Sequence, residues 1–385
     1  HDDCGSGADG ELLEEADAGS RSVNSPPLEP SEGQELMDDE WLLRHQERLR
    51  QSEPGARALY GRSSASGPRT DTPAAWADRI RRARMSDRRI IVVFHLFAGP
   101  EREGDLEAAV RALFLAADIP LLFVSIDLLR SGGWDLSNPH VFHLLMCLIE
   151  EGCVDVLVAG PPCSTWSVLR WYPGGPRPLR HRDGAAWGLP FLRGSEEEHL
   201  KLANVLMINT LCAAEGVSTR GGGHLIEHPE EPEDERCATI WLTEEMIGME
   251  ERTGAVRTHL DQCALGGPVR KATGLSGTLD GMVREGPRCP GLSATHKHEY
   301  RRGRNSDGQF DSARLATYPK GLCEYIADRI LITVRRMLQE GSGPTGWRRS
   351  KDATPRVSAW TTRPGPNQHT GVALMSEEAV RGNGI

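Results

Sequence analysis

The chain has 385 residues, 38% of them hydrophobic, with 42 glycines and 25 prolines; that allows one large core or two small ones, with irregular stretches beside it. Residues 1–53 hold fifteen acids and four bases, a net of -11 against -10 for the whole chain, so the remainder is close to neutral. A near-neutral body with local basic clusters does not exclude nucleic acid as a partner, whatever the overall pI of 5.8 suggests.

The nine cysteines form no C-x-x-C pair, which fits a reducing compartment, nuclear or cytoplasmic, with free thiols. No signal peptide opens the chain, and no apolar run reads as long enough to cross a bilayer, so secretion is not expected. The first residue is His1 rather than Met, which leads us to expect a piece of a longer product.

In chain order, residues 1–35 are acidic and rich in Gly, Ser and Pro, a disordered composition. Residues 36–50 have the pattern of one amphipathic helix, and linker composition returns to residue 75. From Ala75 to Arg89 come Arg79, Arg81, Arg82, Arg84, Arg88 and Arg89, the pattern of a solvated basic helix, with phosphate contact as the lesser reading. Ile90–Phe97 (IIVVFHLF) is a near-continuous apolar run of the buried parallel-strand type. A helix is expected over Leu106–Ala117, a strand over Leu121–Ile126, a helix over His140–Glu151 and a strand over Val154–Ala159. Ser195 reads as an N-cap with Glu198 three residues on, and its helix runs to about Ala214. His224–Glu227 reads as a short strand and Lys320–Leu338 as a closing helix. Strands alternating with helices predict an α/β fold with a mostly parallel, Rossmann-like sheet. The expected division is an acidic disordered tail over 1–75, a folded domain over 76–340 and a disordered tail over 341–385.

Ligands of such sheets bind at the carboxyl ends of the strands, and the polar signals fall there. Phe97-Ala98-Gly99 ends the first strand, with a glycine that lets backbone approach a ligand. Asp127 ends the second, where an acid commonly accepts from a ribose; a cap or a surface acid is an equal reading. Asp135 either faces an adenine or caps the helix that follows. After the third strand comes Gly160-Pro161-Pro162-Cys163-Ser164-Thr165-Trp166-Ser167. Two prolines stiffen the chain before a cysteine in polar, loop-like surroundings, which favours a nucleophile over an inert buried thiol.

Phe97-Ala98-Gly99, Asp127 and PPCSTWS, in that order, resemble the cytosine-C5 DNA methyltransferase family, with Trp166 in the place of a Phe. The likeness continues for about 250 residues. Ile226-Glu227-His228-Pro229 is similar to the E-N-V motif, Gln262 with Arg270 and Lys271 to the Q-x-R-x-R region, and Tyr318-Pro319-Lys320-Gly321-Leu322 to the closing motif. The resemblance implies a Rossmann-like methyltransferase fold that uses S-adenosylmethionine, held by Phe97, Ala98, Gly99, Asp127, Asp135 and Pro161. It implies Cys163 as the nucleophile on C6 of cytosine, Glu227 on N3 and the exocyclic amine, and Arg270 among the catalytic residues. DNA is the implied partner, RNA not being excluded. Val168–Gly188 would be a mobile loop over a flipped base, with Ser167, Arg170, Arg177, Arg180, Arg182 and Lys271 on the nucleic acid. The sequence departs from the pattern at Ser164, at His228 and in the acids Glu101, Glu103 and Asp105 near the cofactor loop. Two other readings stay open: a non-catalytic descendant that binds nucleic acid, in the style of domains carried by mobile elements, and a nucleoside deoxyribosyltransferase-like glycosidase. Cys289, His296 and His298 are candidate zinc ligands by residue type; without a fourth ligand in view they read as part of a solvated loop, and no metal is expected.

Overall fold

Every residue of Ile91–Leu96 is buried, and the alternation of its side chains explains how. Val92, Phe94 and Leu96 point into one apolar cluster, Ile91 and Val93 into a second on the opposite face. This strand, β1, is therefore covered on both sides, as its unbroken apolar run demands. The protein is described here from a computed structural model over residues 72–128, 130, 133–299 and 316–340. The helix expected over 36–50 and nearly all of both expected tails lie outside the described residues.

The elements are α1 (Pro73–Ser86), β1 (Ile91–Leu96), α2 (Leu106–Ala116), β2 (Leu121–Ile126), α3 (Pro139–Glu150), β3 (Val156–Ala159), α4 (Ser195–Thr219), β4 (Gly223–Pro229), α5 (Glu244–Thr253), β5 (Val256–Asp261), β6 (Ala272–Gly277) and α6 (Lys320–Gln339). The sheet order is β2-β1-β3-β4-β6-β5. β2, β1, β3 and β4 run parallel, while β6 lies antiparallel between β4 and β5. Helices α1, α3, α4 and α5 cover one face, and α2 and α6 pack together on the other. The α/β, mostly parallel, Rossmann-like architecture expected from the sequence is thus present.

The differences from expectation have local causes. The basic helix α1 is docked rather than solvated, and it begins before the expected boundary at 76. Ala77 and Ile80 are fully buried, Arg81 makes two 2.7 Å bonds to Glu151, and Arg84 pairs with the buried Asp155. Helix α4 continues past Ala214 because Gly216 lies where it crosses α3; a Cβ there would stand 3.1 Å from Ile149. At 25 residues α4 is long and apolar enough by composition to cross a bilayer, contrary to the reading of the sequence, yet it packs between α3 and α5. Strands β5 and β6 went unread. In β6 (ATGLSG), Gly274 lies against Trp241 and Gly277 against the β4 backbone, so its small residues record close packing rather than strand propensity.

Three histidines lie inside this sheet. His95 on β1 and His228 on β4 are held near a pKa of about 3, chiefly by burial, with Arg130 adding to the effect at His95 and Arg180 and Lys271 at His228. Burial also takes His224 down to about 4. Folded values below the ordinary 6.5 mean that, as pH falls, the unfolded chain takes up protons that the folded one refuses. The stability these sites contribute is therefore complete above pH 6.5 and lost progressively towards pH 3–4, at about 1.4 kcal/mol per pH unit for each histidine. Urea midpoints should fall steeply between pH 7.5 and 5. A midpoint that does not move over this range would show that the three rings are solvated.

Candidate active site

At the carboxyl edge, β1 hands over to β2. The N–H groups of Phe97 and Ala98 both reach the Ile126 carbonyl, at 2.8 and 3.3 Å, which forces Phe97 to a φ of 61°. A non-glycine residue there is strained, a common mark of a functional turn. The next N–H, of Gly99, donates to Asp127 Oδ2 at 2.9 Å, so the two strand ends expected to share a cleft touch directly. Gly99 has a φ of +67°, and an added Cβ would meet nothing within 4 Å. Arg130 locks the loop from outside, donating to the Gly99 carbonyl at 2.7 Å and pairing with Asp105 and Glu107. The acids that follow the glycine therefore divide: Asp105 and Glu107 are neutralised within the loop, while Glu101 and Glu103 lie exposed. S-adenosylmethionine fits this edge in two respects, the open space over Gly99 and the carboxylate at the end of β2. Asp135 does not stand out as an adenine ligand: its Oδ1 accepts from both the N–H and the hydroxyl of Ser137, and Asn138 caps α3.

The second half of the edge is built by β3 and β4. Ala159 pairs with Ile226, so Gly160, just past the end of β3, comes beside Glu227, where β4 runs on in its pairing with β6. Glu227 is buried, at 6% exposure, and three elements send it donors. Lys271 Nζ lies 3.3 Å and Gln262 Nε2 3.4 Å from Oε1, and the Tyr318 hydroxyl donates to Oε2 at 3.3 Å. Gly160 makes room for that tyrosine, since a Cβ would stand 2.4 Å from the Tyr318 hydroxyl oxygen. Beyond the buried Pro161, Cys163 is half-buried. Burial pushes its thiol up, the Lys271 ammonium pulls it down and the Glu227 carboxylate pushes it up again. Thiol and carboxylate thus feel each other across the same cleft, with Lys271 coupled to both. Burial lowers Lys271, but Glu227 and Cys163 raise it by more, and its net shift is upward.

Lys271, assigned from sequence to the nucleic acid, therefore joins the cleft. Arg270, assigned to catalysis, does not: its side chain is 64% exposed and pairs with Asp261 at 3.3 Å. Neighbours entering a strand face opposite ways, and the choice between two adjacent cations was not legible without the β6 register. Tyr318 and Gln262, quoted from sequence only as parts of motifs, are brought onto Glu227.

The expected mobile loop is a packed segment. Arg180 is 2% exposed, stacks 3.7 Å over Trp166 and donates to Thr165 and to the Ala186 carbonyl; it is a core brace and not a phosphate ligand. Arg182 is engaged by the Cys237 and Pro232 carbonyls and by Glu231. Arg170 ties the Ser164 carbonyl to that of Arg177, and Ser167 caps the short turn after it. Arg177, exposed and paired with Glu196, and Tyr172, 56% exposed, remain on the surface of this segment.

Outside the cleft, Cys289, His296 and His298 converge rather than lying apart in a solvated loop. Cys263, in the turn after β5, joins them as a fourth side chain that the sequence reading had missed.

No family model matches the sequence, and no curated protein matches it. Among solved structures, the chain is similar to the Dnmt2 methyltransferase of S. pombe, at 11% identity and a TM-score of 0.26, over 49% of each chain. It is similar also to a variant of DNMT2 from Spodoptera frugiperda, at 13% identity and a TM-score of 0.27, over 52% of this chain and 56% of that one. The chain thus spans about half the length of these proteins.

The close approach at Gly160 gives a direct check of the cleft. Gly160→Ala should destabilise the protein by about 1–3 kcal/mol, the usual range for overpacking. Adding Tyr318→Phe, which removes the clashing oxygen, should recover most of that loss in a urea titration. If Gly160→Ala alone is neutral, Tyr318 does not sit against this backbone.

Proposed function

We propose that this chain transfers the methyl group of S-adenosylmethionine to C5 of cytosine in DNA through a covalent adduct on Cys163. The observation that carries the reading is the placement of the PPCSTWS segment directly after β3 and of the buried Glu227 on the neighbouring β4, with Lys271 paired to Glu227 and acting on the Cys163 thiol. Cytosine C6 is a weak electrophile, so addition needs a thiolate on one side and hydrogen bonding to the ring on the other.

Each group has a part in that reading. Lys271 favours the thiolate of Cys163 against the effect of burial. The thiolate adds to C6, and the electron pair it displaces is drawn towards N3. N3 takes up a proton from solvent by way of one Glu227 oxygen, while the other accepts from the exocyclic amine. The cofactor, when bound, supplies the methyl group as an electrophilic carbon on sulfur. Loss of the C5 proton to solvent then expels Cys163 as thiolate, and the N3 proton leaves by the route it came, restoring the neutral aromatic ring. Tyr318 and Gln262 hold the carboxylate in plane, and Phe97, Gly99, Asp127 and Pro161 form the cofactor side. In a duplex the base has to leave the stack, and exposed Tyr172 and Arg177 offer a stacking face and a cation beside the cysteine segment.

Methyl transfer from labelled cofactor to DNA and to RNA tests this reading. Cys163→Ala should abolish transfer, and DNA containing 5-fluorocytosine should trap the wild type covalently, because fluorine cannot leave as a proton does. Glu227→Gln should slow transfer by roughly 10²-fold or more while cofactor binding is kept. Transfer should rise with pH as the thiol ionises. Lys271→Met should move that rise to higher pH, and Lys271→Arg should restore it. Transfer to RNA alone would overturn the substrate half of the reading. Binding of cofactor and DNA with neither transfer nor trapping would leave the non-catalytic reading in its place.

A further inference from the structure

The segment from Glu285 to Glu299 contains no helix or strand and has little apolar material to hold it. Leu292, its one leucine, is 74% exposed. It nevertheless folds back onto β5 and the turn that follows. Cys289 N–H donates to Asp261 Oδ2 at 3.0 Å, Asp261 N–H to the Pro287 carbonyl at 2.9 Å, and Glu299 N–H to the Pro268 carbonyl at 2.7 Å. Its tip is closed on itself, Ser293 N–H reaching the His296 carbonyl and His296 N–H the Ser293 hydroxyl, each at 2.9 Å. Those bonds bring three polar side chains to one point beside a fourth that the β5 turn supplies.

We infer that Cys263, Cys289, His296 and His298 bind one zinc ion, a closed structural site that staples the 285–299 segment to the end of β5. The geometry is that of a coordination shell. Cys289 Sγ lies 3.4 Å from His296 Nε2 and 3.5 Å from His298 Nε2, and the two Nε2 atoms are 3.1 Å apart. All four ligand atoms lie within 4.8 Å of one another. Tetrahedral zinc, bonded at about 2.3 Å to sulfur and about 2.0 Å to nitrogen, sets sulfur–nitrogen edges of about 3.5 Å and nitrogen–nitrogen edges of about 3.3 Å. The two imidazoles stand at 80° between planes and turn the same ring nitrogen inward. Two thiolates and two imidazoles suit zinc over harder cations, and four protein ligands leave no open position, so the role is structural rather than catalytic. Cys263 is 5% exposed and the other three are half-buried, which shields the ion while leaving a way in.

The site also bears on the cleft. Cys263 follows Gln262, whose amide reaches Glu227, and the same turn packs on the start of α6, where a Cβ on Gly321 would meet the Leu265 carbonyl at 2.5 Å. Metal at Cys263 fixes the turn from which Gln262 reaches inward. Methyl transfer plays no part in the test that follows, so its outcome is separate from that of the proposed function.

The test uses the full chain, purified under reducing conditions without chelator. Elemental analysis should find one zinc per chain, and exchange into cobalt should give the visible absorption of a tetrahedral site with thiolate ligands. Cys289→Ser and His298→Asn should each lose most of the metal, while Cys212→Ser, on α4, should keep it. His298→Cys, which still offers a ligand, should retain metal with a shifted cobalt spectrum, so that loss in the other variants is not read as misfolding. Stripping zinc from the wild type should raise hydrogen exchange across Val256–Asp261 and residues 285–299. The inference falls if the wild type holds only a trace of zinc and gives no tetrahedral cobalt spectrum. It falls equally if Cys289→Ser with His298→Asn keeps full occupancy, or if the protein isolated without air carries a Cys263–Cys289 disulfide.

Discussion

A carboxylate buried within a sheet is costly unless donors meet both of its oxygens, and Glu227 is such a group. Its donors come from three places: Lys271 at the entrance to β6, Gln262 after β5 and Tyr318 before α6. The antiparallel insertion of β6 between β4 and β5 delivers the first two, and the packing of α6 on α2 sets the third against Gly160. The second half of the sheet is thus arranged around one acid on β4.

The same arrangement tunes the cysteine. In a half-buried position a thiol resists ionisation, and Glu227 adds to that resistance, so Lys271 is the counterweight. A cation coupled to both thiol and carboxylate lets them share one cleft without a forbidding like-charge penalty. The loop after β1 is held separately, by Arg130 on the Gly99 carbonyl and by Gly99 on Asp127. The two halves meet through β1 and β3, which are hydrogen-bonded neighbours.

Buried cations and aromatics do structural work on the opposite flank. Arg180 over Trp166, with Thr165 and the Ala186 carbonyl as acceptors, shows how an arginine in a Gly- and Pro-rich segment becomes part of a core. An arginine's charge is visible in a sequence, but its exposure is not; that is why Arg180 and Arg182 read as phosphate ligands and turned out to be braces.

The sequence by itself determined the elements whose pattern is local. β1, β2, β3 and α6 show in their apolar periodicity, and the cysteine turn and Glu227 show at the ends of such runs, because a parallel strand buried on both faces must be apolar throughout. Tertiary structure decided whatever depends on which distant segments meet. It chose Lys271 over Arg270 through the register of β6, a strand of small residues with little propensity of its own. It extended α4 through Gly216 because that glycine lies at a helix crossing. It brought Cys263 to Cys289, His296 and His298 across more than twenty residues of intervening chain. Spacing alone does not encode such a meeting, because a coordination shell is a matter of distances in space, and those are set by how the turn after β5 and the returning segment pack on one another.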